Sequence, residues 1–200
     1  SDSEKWIMQK LMHTLQNVDV HYREYRFDLV SSELYEFTWN NYCDWFLEFA
    51  KPALQEGGAA ADSMRHSMLS VLEMLLRALH PLIPFVTEEI WQNIAPKLGI
   101  TGSSISTQTY PDYSLIAADP ATASRVEILK GVVMLVRSIR SQMGISPSKL
   151  VPLIVEGPAD DSSLIQICGQ ESSLRFLAKL ESVTVIASGE APPSAMAPCF

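Results

Sequence analysis

The sequence Tyr-Glu-Phe-Thr-Trp-Asn-Asn-Tyr-Cys-Asp-Trp-Phe-Leu-Glu-Phe-Ala, residues 35–50, decides how this chain folds. When the stretch is advanced at about 100° per residue, the step of an α-helix, its rings fall on one broad face. That face carries Leu34, Tyr35, Thr38, Trp39, Tyr42, Trp45, Phe46 and Phe49. The opposite face carries Glu33, Glu36, Asn40, Asp44 and Lys51. Because each buried ring removes about 150–250 Å² from water, the pattern predicts a helix packed against other helices.

One apolar residue interrupts the polar face. Leu47 lies in line with Asn40, Asp44 and Lys51. In one interpretation another helix covers Leu47, or it is one of the single exposed apolar residues that are common in proteins. In the other, the four residues form a mixed polar and apolar strip that contacts a partner. The residues alone leave both interpretations open.

The charge of the chain argues against a global attraction to nucleic acid. The 200 residues contain 15 Lys and Arg against 23 Asp and Glu, a net charge of −8. Residues 1–119 hold 8 basic and 16 acidic residues, whereas residues 120–200 hold 7 of each. A dedicated nucleic-acid binder is expected to be basic, so any contact with RNA must be local.

The composition is typical of a globular intracellular protein. Hydrophobic residues make up 47% of the chain, and no apolar run approaches the ~20 residues that span a membrane. The acidic start has no signal-peptide core. Three scattered cysteines and four scattered histidines form neither a disulfide framework nor a metal site. We also find no catalytic constellation, and we expect a reducing compartment, no metal and no membrane contact.

Helical periodicity covers the first half of the chain. It predicts a first helix over residues 2–17, a polar connection over 19–28 and a second helix over 29–50 that ends before Pro52. A third helix is predicted over residues 62–79, capped by Asp62 or Ser63, and a fourth from Pro84.

The second half changes character after a loop rich in Ser and Thr. Asp119 and Pro120 are predicted to begin a long helix that Gly144 ends, with Met143 among its core positions. Two short strands, residues 150–156 and 182–187, enclose a helical connection over 162–180. The fold class is therefore mainly α: a bundle over residues 1–118, a long helix with a small α/β segment over 119–188, and an irregular tail over 189–200.

Three of the cations on the long helix are candidates for a contact with RNA, and Lys130 and Arg137 share a face. The three are Lys130, Arg137 and Arg140. A solvated helix face explains them, and so does a contact with an RNA backbone. We retain Arg137 and Arg140 as candidate contacts.

Several motifs, in the same order along the chain, resemble the C-terminal half of the valyl-tRNA synthetases. They are Lys5-Trp6-Ile7, the stretch Trp39 to Glu48, the segment Leu-His-Pro-Leu-Ile-Pro-Phe-Val-Thr-Glu-Glu-Ile-Trp at residues 79–91, and Ile139 to Lys149. The third segment is shared by the synthetases for large aliphatic amino acids. The Cys-Asp-Trp-Phe-Leu-Glu stretch and the last motif favour the valyl family.

The resemblance implies an antiparallel α-helical bundle that binds the anticodon stem-loop of tRNA(Val). In that family the intact enzyme joins valine to tRNA with ATP, while an editing domain hydrolyses mischarged threonine. The chain lacks both ATP-site signatures, the editing domain, the bundle's first helix and the basic coiled-coil arm. It is therefore expected to be a fragment without its own active site or cofactor, joined to the rest of the synthetase. Cytoplasm is the expected location, with mitochondrion or plastid as alternatives, and DNA is not an expected partner.

The resemblance places anticodon contact on the helix with the Cys-Asp-Trp motif. There Leu47 is expected to pack against an unstacked base, Asn40 and Asp44 to bond base edges, and Lys51 to meet a phosphate. Trp39 and Trp45 are expected to lie in the core. The alternatives are an isoleucyl- or leucyl-tRNA synthetase, or a helical protein–protein interaction domain with no RNA role.

Overall fold

The computed structural model describes residues 1–117, 119–158 and 169–186. The chain divides into two compact units, Ser1–Ala123 and the described residues from Ser124 onward. The residues that separate them lie in the first turn of a long helix. Each unit is described by itself.

The first unit is a bundle of helices. Its elements are α1 (Asp2–Arg23), α2 (Phe27–Glu36), a π-helical segment (Phe37–Phe46), α3 (Leu47–Glu56), α4 (Gly58–Leu79) and α5 (Pro84–Ile94). Short 3₁₀ turns follow at Ala95–Leu98, Ile105–Thr107 and Tyr113–Leu115. Helix α1 packs against α2, the π-helical segment and α4, while α4 also packs against α3 and α5. The predicted mainly helical fold class is confirmed.

The core of the bundle contains the apolar face predicted for the first helix. Trp6, Ile7, Leu11 and Leu15 are buried there. The ring of Trp6 meets Phe49 edge-on, with centroids 5.7 Å apart, and so joins α1 to α3. This contact places the 35–50 stretch against the centre of the bundle.

Two predicted helix boundaries differ from those observed. Helix α1 continues to Arg23, whose guanidinium lies 2.9 Å from the Asp19 carboxylate one turn earlier. Helix α4 begins at Gly58 rather than at Asp62. Asp62 accepts a 2.8 Å hydrogen bond from Arg65 instead of capping the helix, and Ser63 donates to Glu4 of α1.

Pro52 does not end the second helix. It lies inside α3, which continues to Glu56, and Gly57 with φ 78° follows as the turn. A proline inside a helix removes one backbone hydrogen bond, and the packing of α3 against α4 maintains the helix through that loss. The sequence rule is correct locally, but tertiary contact overrides it.

The π-helical segment changes which side chains are buried. Val30, Leu34 and Phe37 are buried at α-helical spacing, whereas the next buried residues are Tyr42 and Phe46. The step of five residues from Phe37 to Tyr42 is that of a π-helical turn, so the buried positions after it are displaced by about one residue from the α-helical positions before it. One helical wheel drawn through the whole stretch therefore mixes two different faces.

The second unit contains α6, β1, α7 and β2. Helix α6 (Pro120–Gln142) begins in the first unit, where the Asp119 carboxylate accepts a 3.0 Å hydrogen bond from the Thr122 amide and caps it as predicted. Strands β1 (Val151–Glu156) and β2 (Leu180–Ile186) pair in parallel, and α7 (Glu171–Ala178) precedes β2. The register shifts between Val151 and Leu153, because Pro152 has no amide to donate.

One prediction for the second half of the chain is wrong, and others concern residues outside those described. Met143 is exposed, so its predicted core position is wrong, since α6 has already ended at Gln142. The helical connection over residues 162–168 and the tail over 189–200 lie outside the described residues. Within the described part of the chain, no helix is both long and apolar enough to cross a membrane.

Candidate nucleic-acid interface

Side chains on the inner face of the π-helical segment hold it against the other helices of the bundle. The Tyr42 hydroxyl donates a 3.0 Å hydrogen bond to the Met68 carbonyl of α4. Trp45 stacks on Phe49 with centroids 5.7 Å apart and planes inclined by 30°. Burial, together with the charge of Asp44, raises the pKa of the Cys43 thiol, which disfavours the reactive thiolate. The inner side of the segment is thus a structural anchor.

The outer side of the π-helical segment and of the following α3 carries the four residues predicted to contact RNA, here called the contact strip: Asn40 and Asp44 in the segment, and Leu47 and Lys51 in α3. Asn40, Asp44 and Lys51 are exposed, while Leu47 is partly buried and keeps part of its surface in solvent. The arrangement is open to a partner along about three helical turns.

The charge of the contact strip is balanced locally. The Lys51 ammonium forms an ion pair with the Glu48 carboxylate three residues earlier. Both side chains are at least one-third exposed, and an exposed pair of this kind contributes about 0–1 kcal/mol. Lys51 can therefore exchange Glu48 for a phosphate at little cost.

Two aromatic residues beside the strip contradict the sequence prediction. Trp39 was expected in the core, yet 51% of its surface is exposed, and Tyr35 is 66% exposed. Tyr35 lies before the π-helical segment and Trp39 near its start, ahead of Tyr42, the first buried residue of the displaced face, and both side chains point away from the core. Their rings lie 6.2 Å apart, inclined by 52°. Trp45, in contrast, packs inward as expected.

An open concavity of about 510 Å³ lies next to these rings. It is lined by Ser31, Ser32, Tyr35, Glu36 and Asn40. Asn40 thus belongs both to this concavity and to the contact strip. The sequence analysis did not identify Tyr35 and Trp39 as surface residues. The available signal was their i, i+4 spacing, which continues a row from Phe27 and Ser31 that faces away from the core.

Arg140 requires a correction. It was predicted to meet an RNA backbone, but it is only 6% exposed. Its guanidinium donates to the carbonyls of Ser146 at 2.6 Å, Lys149 at 2.5 Å and Lys179 at 3.3 Å. Three backbone carbonyls occupy its donors, so Arg140 holds the second unit together and is not available to phosphate.

Arg137 has a different position from Arg140. It is exposed, and one of its guanidinium nitrogens donates a 3.2 Å hydrogen bond to the Leu177 carbonyl. Lys130, the third candidate cation of this helix, lies 3.3 Å from the Glu127 carboxylate. Of the two arginines retained from the sequence, Arg137 alone reaches the surface of the second unit.

The motif around residues 79–91 has a structural role in the first unit. Glu73, which is 4% exposed, accepts hydrogen bonds from Arg77 at 2.8 Å and from the Trp91 indole at 3.1 Å. Arg77 also donates to the Thr109 carbonyl at 2.8 Å. His80 Nδ1 lies 2.8 Å from Thr87 Oγ1 near the start of α5. These contacts connect α4, α5 and the loop that follows.

Comparison with known proteins agrees with this reading of the bundle. The family described as the anticodon-binding domain of tRNA ligase matches residues 4–155. The valine–tRNA ligase of Stenotrophomonas maltophilia strain K279a is 46% identical over 200 residues, covering 98% of this chain and 21% of the relative. That of Xanthomonas campestris pv. campestris strain B100 is 47% identical over 204 residues, with 98% and 21% coverage.

The same extent of match recurs in a third relative. The valine–tRNA ligase of Xanthomonas oryzae pv. oryzae strain PXO99A is 46% identical over 202 residues, covering 98% of this chain and 20% of the relative. The chain thus spans about a fifth of the length of these curated relatives. Within the described residues, no group of three or more His, Cys, Asp or Glu could hold a metal ion. The resemblance inferred from the motifs is confirmed: this chain belongs to the anticodon-binding domain family of tRNA ligases.

Proposed function

We propose that this chain is the anticodon-binding portion of a valine–tRNA ligase and that its contact strip grips the anticodon stem-loop of tRNA(Val). The observation that carries the proposal is the open strip itself, Asn40, Asp44, Leu47 and Lys51, on a segment anchored from behind by Tyr42 and Trp45. The names of the 46–47% identical relatives support valine as the amino acid.

The chemistry of the strip suits a single-stranded RNA loop. The exposed part of Leu47 offers an apolar surface to an unstacked base, and Asn40 can bond a base edge as donor and acceptor. Asp44 accepts hydrogen bonds, and Lys51 supplies the cation for a phosphate. A loop splays out its bases, whereas a duplex does not, so such a strip favours the anticodon loop over paired RNA or DNA.

The catalytic roles belong to other parts of the ligase in this proposal. ATP and valine are used elsewhere, and this chain contributes affinity and orientation without holding a cofactor. The cytoplasm is the proposed location. Ligation of valine to tRNA(Val) by the whole protein then depends on the bundle for binding energy distant from the reacting atoms.

The decisive experiment substitutes Leu47→Ala in the full-length ligase. We expect kcat/KM for charging of tRNA(Val) to fall roughly 5- to 20-fold, or about 1–2 kcal/mol, because the base loses its apolar contact. The matched control is Leu115→Ala, since Leu115 is an exposed leucine of the same unit outside the strip. It should charge like the parent.

The measurement also separates the proposal from its alternatives. The thermal midpoint of Leu47→Ala should stay close to that of the parent, so that a loss of charging reports binding and not unfolding. Charging equal to the parent by both leucine variants would contradict the contact strip. Charging of tRNA for isoleucine or leucine in preference to valine would reject the proposed amino acid.

A second surface favours contact with protein. Ile83, Phe85 and Val86, at the start of α5, are exposed apolar residues next to one another in the chain. We infer that this corner meets another part of the ligase. Proteolytic sensitivity near α5 should therefore be lower in the full-length ligase than in the isolated chain, and equal sensitivity would reject the contact.

A further inference from the structure

We propose that Tyr35 and Trp39 form a second RNA subsite, which stacks one unstacked base that carries an exocyclic amino group. This inference rests on the proposed function, because it extends the contact strip to a neighbouring nucleotide of the same loop. The geometry of the rings, the chemistry of the concavity and the local charge support it in turn.

The rings are presented in a way that suits stacking. Tyr35 and Trp39 expose 66% and 51% of their surfaces, and their centroids lie 6.2 Å apart. Their planes are inclined by 52°, so they do not close on each other face to face. Monomeric proteins usually pack such rings, and exposed aromatic faces are a recurrent platform for single-stranded bases.

The concavity beside the rings is rich in hydrogen-bond acceptors. The hydroxyls of Ser31 and Ser32 donate to the carbonyls of Phe27 at 2.9 Å and Asp28 at 3.1 Å, which leaves their oxygens able to accept. Glu36 adds a carboxylate. A base edge that meets these groups must donate.

The base is therefore adenine, cytosine or guanine and not uracil. The first three carry an exocyclic amino group, and a glutamate accepting from such a group is an established mode of base recognition. Uracil offers to such an edge a single donor, N3–H, flanked by two carbonyl oxygens that face the Glu36 carboxylate unfavourably. Asn40 can bond either kind of edge, because its carboxamide both donates and accepts.

The local charge excludes the phosphate backbone from this subsite. Ser31, Ser32, Tyr35, Glu36 and Asn40 line the concavity, and none of these residues is a cation. Phosphate would be repelled by Glu36, whereas the neutral base is not. Binding at the subsite should consequently depend little on salt, unlike a contact made by Lys51.

Continuity with the contact strip favours an RNA base over a protein helix as the occupant. Asn40 lines the concavity and also begins the strip, so a nucleotide next to the one at Leu47 can reach the rings. An apolar helix would instead require the polar side chains of Ser31, Ser32 and Glu36 to be buried without donors, which is costly.

The test measures the affinity of the 200-residue chain for labelled seven-nucleotide RNAs made only of C, only of A or only of U by fluorescence anisotropy of the RNA, and follows tryptophan fluorescence in parallel. Trp6 and Trp91 are buried, so a base that stacks on Trp39 should quench a solvent-exposed emitter. We expect C and A to bind at least fivefold more tightly than U. We expect Trp39→Ala to weaken the binding of C and A roughly 5- to 150-fold.

Two further variants act as controls. Phe85→Ala removes another exposed ring, on α5, and should bind all three RNAs like the parent. Trp39→Phe keeps a stacking ring, so it should bind C and A within about threefold of the parent while losing the quenching. Glu36→Ala should reduce the preference for C and A over U.

Specific outcomes overturn the subsite. They are unchanged affinity in Trp39→Ala, quenching that persists in Trp39→Phe, or equal binding of U, C and A by the parent. If Trp39→Ala does not fold, the Trp39→Phe result decides. Loss of function in Leu47→Ala with no effect of the Trp39 variants rejects this subsite alone, whereas no effect of either rejects the proposed function as well.

Discussion

The stretch from Asn40 to Lys51 and the end of helix α6 both place polar side chains on the face of a helix. In the first region Asn40, Asp44 and Lys51 remain in solvent, and Lys51 forms an exposed ion pair with Glu48. In the second, Arg140 turns inward to three backbone carbonyls. The two regions differ in the backbone carbonyls that lie close to the helix. The loop after α6 places the carbonyls of Ser146 and Lys149 within hydrogen-bond distance of the Arg140 guanidinium, and the residue before β2 adds the carbonyl of Lys179.

This comparison separates anchoring polar residues from polar residues that can read a partner. An anchoring residue has its hydrogen-bonding capacity filled by the protein, so its removal affects stability. A reading residue has little capacity filled, so its removal affects binding and leaves the fold intact. Measurements of stability test the anchoring residues, and measurements of binding test the reading residues.

The largest effect is expected for Arg140→Ala. Three hydrogen bonds from a charged donor would be lost, although the Ser146 carbonyl keeps the Lys149 amide as a partner, so the second unit should lose about 3 kcal/mol or more. Hydrogen exchange of the β1 and β2 amides measures this loss. All four tryptophans lie in residues 1–91, so tryptophan fluorescence reports the first unit and should be unchanged.

Arg137→Ala is the matched control for that experiment. Arg137 is exposed, and its substitution should affect β1 and β2 less than that of Arg140. If the two variants accelerate exchange equally, the distinction between an anchoring and a surface arginine on α6 is wrong.

An intermediate effect is expected for the anchor of the first unit, Glu4→Gln. Burial raises the pKa of Glu4, but hydrogen bonds from the chain's amino group, Ser67, Ser1 and Ser63 outweigh it and lower the pKa to about 2. Since the folded pKa lies below 4.5, the usual pKa of a glutamate, this stability is present above about pH 4.5 and is lost as pH falls towards 2.

The pH dependence of the thermal midpoint tests this anchor. Between pH 5 and pH 2 the parent should lose about 1 kcal/mol more than Glu4→Gln, a figure reduced for screening by water. Parallel pH profiles for the two proteins would show that Glu4 does not anchor α1 to α4.

The smallest effect is expected for Lys51→Ala, on the reading side of the comparison. Stability should change by less than about 1 kcal/mol, because the pair with Glu48 is exposed. The slope of log affinity for a tRNA(Val) anticodon stem-loop against log salt should become shallower by about 0.7, the value for one phosphate contact on a single strand. An unchanged slope would remove Lys51 from the interface.

The helices could be predicted from the sequence where one periodicity runs undisturbed. The face of α1 with Trp6 and Leu11, the start of α5 at Pro84 and the cap of α6 at Asp119 are all confirmed. Predictions were wrong where a distant contact outweighed a local rule. The continuation of α3 through Pro52 is the clearest case, because its packing on α4 compensates for the missing amide.

The candidate site was partly predictable for the same reason. The polar line from Asn40 to Lys51 can be read from spacing, and its residues do reach the surface. Trp39 was misplaced because an inserted π-helical segment has no signature in a helical wheel. Arg140 was misplaced because the carbonyls that it satisfies belong to residues 146, 149 and 179, which periodicity cannot bring to it.

The residue pattern alone predicts a helical bundle with a small α/β segment, and it contains the motifs of the valyl-tRNA synthetases. Burial of apolar side chains follows local period, and motifs are local by nature. Which polar and aromatic side chains face water depends on the three-dimensional packing of the chain. That choice depends on hydrogen-bond partners and on the phase of a helix, and both are set by contacts between residues far apart in the chain.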